Sequence, residues 1–190
     1  MKLASIETFV VGNPPPGWGG RYFLFVKLTT ACGVVGYGEM YTASFGAHTV
    51  ARMAEDVFGK DLIDEDPFKI ERMWRRVYSR GYSSRPDISL MGVMSGLEMA
   101  CWDIIGKALD RPVHALIGGK LHERLRSYTY LYPDADMNQD SFYEDPDASA
   151  AMAARYVEEG FTAVKFDPAG AYTTVDPHMP ELEVSDRSAR

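Results

Sequence analysis

The sequence predicts an α+β unit, a three-stranded antiparallel meander plus helices, followed by the first strand–helix–strand of a parallel sheet. Three observations carry this. Residues 1–40 hold three runs rich in β-formers, separated by turn residues. Residues 48–117 place apolar side chains at helical spacing. From residue 121 onward the pattern changes to strand, polar loop, helix and strand.

The elements follow in order. Leu3 to Val11 alternates and reads as a strand. Asn13-Pro14-Pro15-Pro16-Gly17-Trp18-Gly19-Gly20 suits neither strand nor helix and is a loop. Tyr22 to Thr29 is a strongly apolar strand, Ala31-Cys32-Gly33 a turn, and Val34 to Glu39 the third strand. His48 to Phe58 is helical, with Val50, Met53, Ala54 and Val57 on one face. Asp66-Pro67 starts a second helix with proline at its first position, and Phe68, Ile70, Met73, Trp74 and Val77 form its buried stripe. Ser79 to Pro86 is a loop. Ser89 to Leu109 is the longest helix; its centre is apolar almost all round, which implies burial on several sides. Pro112 to Ile117 makes a short helical turn ended by Gly118-Gly119.

In the second part, Leu125 to Tyr132 is a strand and Asp134 to Asp145 a polar loop. Asp147 to Glu159 is a helix, capped near Asp145-Pro146 and stopped by Gly160. Phe161 to Phe166 is the next strand. Such a βαβ unit demands a parallel sheet, and one unit cannot bury both faces of it. Glu181 to Arg190 reads as the opening turns of a crossover helix with no stop signal. The expectation is an N-terminal piece of a longer protein, with domains at 1–120 and 121–190.

Of the 190 residues, 46% are hydrophobic and 25% charged, the composition of a globular protein with a real core. A net charge of -7 argues against nucleic acid as a partner, because phosphate binding wants a basic face. The N-terminus reads as a strand and not a signal peptide, and no run is expected to reach the length of a membrane span. The two cysteines, Cys32 and Cys101, each stand in an apolar run and read as buried free thiols. They suggest a reducing compartment and a cytoplasmic location.

Chemistry concentrates at the end of the last strand. Period-two alternation puts Lys165 and Asp167 on one side, an arrangement that suits proton transfer; the plain alternative is a salt bridge at a strand end. Asp134, Asp136, Asp145 and Asp147 show no ligand spacing and read as solvated or capping groups. His178 lies between prolines in an irregular segment. The chain has no P-loop, C-x-x-C pair, G-x-S-x-G or dinucleotide fingerprint.

Three motifs carry a family resemblance. Gly33-Val34-Val35-Gly36-Tyr37-Gly38-Glu39 resembles a G-x-x-G-x-G-E signature. Ser95 to Lys107 resembles an A-x-D-x-A-L-W-D-I-x-G-K helix, with Glu98 in place of the usual aspartate. Pro112-Val113-His114-Ala115-Leu116-Ile117-Gly118-Gly119 is similar to P-V-x-x-L-L-G-G. In this order and spacing they resemble the enolase superfamily, specifically the mandelate racemase and muconate lactonizing enzyme group.

The resemblance implies an α+β capping domain followed by a truncated (β/α)8 barrel whose active-site groups stand at strand C-termini. It places Leu125 to Tyr132 and Phe161 to Phe166 as the first two barrel strands, and Lys165-Phe166-Asp167 at the family's K-x-K position, with Asp167 replacing the second lysine. It implies abstraction of a proton alpha to a carboxylate, with magnesium ions offsetting the developing charge. Lys165 and Asp167 are then the catalytic candidates. The replacement favours a sugar-acid dehydratase, with its base on a later strand, over a racemase or cycloisomerase. Glu39 and Asp103 read as structural. Two capping loops, 13–22 and 79–87, are expected to reach the substrate, with Trp18, Arg21, Tyr82 and Arg85 as binding candidates and Arg80 beside them. The partners implied are a small sugar acid and further copies of the chain, a homo-oligomer, with no nucleic acid and no membrane. Magnesium is expected for the complete enzyme, with its three carboxylate ligands on later strands absent from this chain, so residues 1–190 alone are expected to be inactive. A non-catalytic binding or oligomerisation module, or a split enzyme, is the alternative.

Overall fold

A computed structural model describes residues 1–14, 22–42, 45–79, 87–137 and 139–166. The chain forms two compact units, Met1–Leu121 and His122–Arg190.

In the first unit, β1 (Leu3–Gly12), β2 (Tyr22–Thr30) and β3 (Val35–Met40) make an antiparallel sheet in that order. Leu24, Val26 and Leu28 of β2 are buried, every second residue as the pleat requires. β1 changes parity: Leu3 points inward, but beyond it Ile6 and Val10 do. The register with β2 shifts between Leu3 and Ser5, and one extra residue there moves every later side chain to the other face.

Helices α1 (Ala47–Val57), α2 (Ile70–Tyr78) and α3 (Ile88–Leu109) form the helical part of this core. α1 passes into a π-helical turn, Phe58–Leu62, in which the Ile63 N–H reaches back to the Phe58 carbonyl. Asp66-Pro67 does not start α2. The Asp66 side chain and carbonyl accept the Phe68 and Lys69 N–H groups, which closes a turn, and Phe68 is exposed instead of joining the buried stripe. Met73 and Val77 are buried as expected. α3 starts at Asp87, whose carboxylate accepts the Ser89 and Leu90 N–H groups. At 22 residues it is long and apolar enough to cross a membrane, contrary to the expectation that no run has that length. It is instead the central core helix, with Val93, Met94, Leu97, Ala100 and Ile104 buried.

The signature motifs explain how α3 reaches β3. A Cβ on Gly36 would overlap the Ala100 carbonyl oxygen, and one on Gly38 the Gly96 carbonyl oxygen. Strand and helix backbones touch, so neither position has room for a side chain. The Tyr37 N–H on this edge strand donates to Asp103 Oδ2 (2.9 Å), while Lys107 Nζ donates to the Val35 carbonyl (2.8 Å) and pairs with Asp103 (2.7 Å). Asp103 and Lys107 thus satisfy the open edge of the sheet. Glu98 accepts the indole N–H of Trp74 (2.6 Å) and of Trp102 (3.2 Å). A short α4 (Val113–Leu116) ends at Gly118 and Gly119, both at positive φ.

Cys101 is buried, but Cys32 is exposed; both are free. The turn between β2 and β3 carries Cys32 off the sheet, so its apolar neighbours did not decide its burial.

The second unit pairs β4 (Thr129–Tyr130) and β5 (Val164–Lys165) in parallel, with α5 (Gln139–Glu144) and α6 (Pro146–Glu158) between them. The expected strand 125–132 shrinks to two residues because only that stretch meets a partner. Leu125, at its start, is 82% exposed. The polar loop 134–145 contains α5, which places Phe142 in a small core with Leu131 and Met152. Asp145 caps α6, accepting the Asp147 and Ala148 N–H groups, and Gly160 closes its end at positive φ.

Candidate active site

Lys165 ends β5 and is exposed. It pairs across the parallel ladder with Tyr130, and the Leu131 N–H donates to the Lys165 carbonyl (2.8 Å). Leu131 and Val164 pack with α5 and α6, so alternation turns Tyr130 and Lys165 to the opposite face. There the Lys165 ammonium lies 5.3 Å from the centre of the Tyr130 ring, within cation–π range. The Tyr132 ring stacks on Tyr130 at 5.5 Å. A lysine and two tyrosines therefore share one sheet face at the C-terminal ends of the strands. A cation placed there can meet an anionic group.

The other catalytic candidate, Asp167, lies outside the described residues, as do Trp18, Arg21, Arg80, Tyr82, Arg85 and His178. Sequence reasoning missed Tyr130 and Tyr132. Their signal was the alternation in Leu125-Arg126-Ser127-Tyr128-Thr129-Tyr130-Leu131-Tyr132, which sets them on one face; the cross-strand register with Lys165 was needed to give that face a meaning.

In the first unit, Tyr22, Glu39, Tyr41 and Ser95 line a groove of about 540 Å³. Glu39 is exposed at the end of β3, so it faces this groove and is not a core group. Asp103, bonded to the edge of β3, has the structural place that its motif suggested.

Two acidic residues of the second unit have structural partners. Asp134 holds Arg155 through both carboxylate oxygens, at 3.0 and 2.9 Å, and Asp145 caps α6. Among the described residues no three His, Cys, Asp or Glu side chains form a group that could hold a metal ion.

An α+β unit followed by a parallel βα start has the arrangement of a capping domain leading into a barrel. The model of the mandelate racemase/muconate lactonizing enzyme N-terminal domain matches residues 18–118, and the chain belongs to this family. It is 32% identical over 174 residues to the D-gluconate/D-galactonate dehydratase of Picrophilus torridus, covering 87% of this chain and 41% of that protein. It is 34% identical over 142 residues to the D-galactonate dehydratase of Variovorax paradoxus, covering 74% of this chain and 34% of that one. A solved structure from Labrenzia alexandrii, itself assigned to the mandelate racemase/muconate lactonizing enzyme group, superposes with a TM-score of 0.84 at 62% identity, covering 99% of this chain and 49% of the other. The chain thus spans less than half the length of the curated relatives it matches.

Proposed function

We propose that this chain is the capping domain and barrel start of a sugar-acid dehydratase. The relatives that carry that activity in their names support the substrate class. The observation that carries the reading is Lys165 at the C-terminal end of a parallel strand, on the face turned away from the helices.

In the proposed reaction a base on a later strand removes the proton on the carbon next to the carboxylate. The electron pair left behind spreads onto the carboxylate as an enediolate. The C–O bond to the β-hydroxyl then breaks, the hydroxyl leaves with a proton as water, and the resulting enol becomes a 2-keto-3-deoxy acid. A proton alpha to a carboxylate is barely acidic, so the developing negative charge must be met by fixed positive charge. Lys165 supplies that charge, and Asp167 orients it or binds a substrate hydroxyl. Trp18, Arg21, Tyr82 and Arg85 remain the proposed contacts to the distal end of the substrate.

Family resemblance implies magnesium, which stabilises an enediolate as a Lewis acid. The described acidic residues do not fit a magnesium cage: no three His, Cys, Asp or Glu side chains among them stand together, and Asp134 is bound to Arg155 and Asp145 to the start of α6. No step is assigned to a metal held by them, and the proposed metal donors belong to other parts of the protein.

The complete gene product, supplied with D-galactonate and D-gluconate, should form a 2-keto-3-deoxy acid, and Lys165→Ala should lower kcat by about 100-fold or more. Residues 1–190 alone should show no turnover. An unchanged rate in Lys165→Ala would remove this residue from the mechanism.

A further inference from the structure

We propose that Tyr130 is a positioning residue for Lys165, its ring holding the ammonium over the open face of the β4–β5 sheet as a fixed cation. This rests on the reading of Lys165 as a group that meets the substrate.

A lysine ammonium sits on a flexible four-carbon stem and, unheld, samples many places. Here three contacts narrow the choice. The parallel register sets Tyr130 directly beside Lys165. The 2.8 Å bond from the Leu131 N–H to the Lys165 carbonyl fixes the two backbones, and Leu131 is buried in the core beneath them. The Tyr132 ring, 5.5 Å from Tyr130 and inclined by 26°, flanks the Tyr130 ring. The ammonium, 5.3 Å from the ring centre, is drawn to the negative π face. That face attracts an ammonium and offers little to a neutral amine. The arrangement therefore suits a lysine that meets developing negative charge better than one that removes a proton, and it names the group that fixes the cation in place.

The test compares Tyr130→Phe, which keeps the ring, with Tyr130→Leu and the strand-favouring Tyr130→Thr, which remove it, and with Lys165→Ala. In the complete gene product, Tyr130→Phe should keep kcat within about twofold, and the ring-less variants should lose about fivefold to thirtyfold in kcat with KM nearly unchanged. In residues 1–190, the Lys165 ε-methylene NMR signals should be shifted upfield by the ring in the parent and in Tyr130→Phe, and return to ordinary positions without it. Parental kcat in the ring-less variants beside an inactive Lys165→Ala would overturn the role of Tyr130 and leave that of Lys165 standing. Parental activity in Lys165→Ala would overturn the functional reading itself, and this inference with it. Equal losses in the phenylalanine and leucine variants would place the effect in the hydroxyl and overturn the ring as the holder.

Discussion

The two units solve the same problem, covering a sheet, to different degrees. In the first, helices cover the inner face of β1–β3, and Asp103 and Lys107 occupy the backbone groups on the β3 edge. In the second, the buried apolar cluster is Leu131, Phe142 and Met152, and beside it Leu131, Val164 and Phe166 border an open groove of about 270 Å³. The three longer family motifs lie in the first unit and act there as packing devices: glycines that let backbones touch, and an ion pair on the β3 edge. Lys165, the proposed catalytic group, lies in the second, exposed on the face opposite α5 and α6. The three motifs that carry the resemblance are therefore packing devices of the first unit, and they identify the scaffold before they say anything about the reaction.

The sharpest way to break this comparison is to set a packing glycine against a turn glycine. A methyl group on Gly38 would meet the Gly96 backbone, which cannot step aside, so Gly38→Ala should cost about 3 kcal/mol or more. Gly160 has open space around its Cβ position and pays only for positive φ, so Gly160→Ala should cost about 1–2 kcal/mol. Urea denaturation ranks the pair, and a parental midpoint for Gly38→Ala would refute the close approach of β3 to α3.

A second contrast is expected between core leucines. Leu97 is enclosed within the large core, and its replacement by alanine should cost about 4 kcal/mol. Leu131 borders the open groove, where neighbours can relax, and Leu131→Ala should cost about 2 kcal/mol. Amide hydrogen exchange, read separately in α3 and α6, gives each value for its own unit. The reverse order would mean that the second unit is the better closed of the two.

What could be read from the sequence follows from how local each decision is. β2 and α3 were legible because alternation in one and a long apolar run in the other need no partner to be recognised. The bulge after Leu3 was not, since it exists only in the pairing with β2. The length of the strand within 125–132 is hidden for the same reason: pairing with Val164 and Lys165 sets it. α5 was hidden in a polar stretch whose one anchor, Phe142, gains its meaning from Leu131 and Met152. At the site, Lys165 was visible as a charge ending an apolar strand. Its neighbour Tyr130 lies 35 positions earlier in the chain and could be found only through the register.

The cysteines offer the mildest probe, and they read one unit alone, because Cys32 and Cys101 are the chain's two cysteines and both precede residue 122. The Thr30 hydroxyl, 3.3 Å from the exposed Cys32 sulfur, lowers the pKa of that thiol, so it should alkylate readily near neutral pH. Burial, reinforced by the charge of Glu98, pushes Cys101 up from the usual 9.0 to about 12, and it should label only when the first unit opens. The sign of the pH dependence follows. Below pH 9 the thiol is neutral in both the folded and the unfolded chain and has no effect. Between pH 9 and about 12 it ionises only in the unfolded chain, which draws the equilibrium away from the folded unit. The first unit should therefore lose stability over that window, and Cys101→Ala should lose less. If parent and variant fall together from pH 9 to 12, the thiol is not held in the apolar surroundings that α3 and the sheet give it.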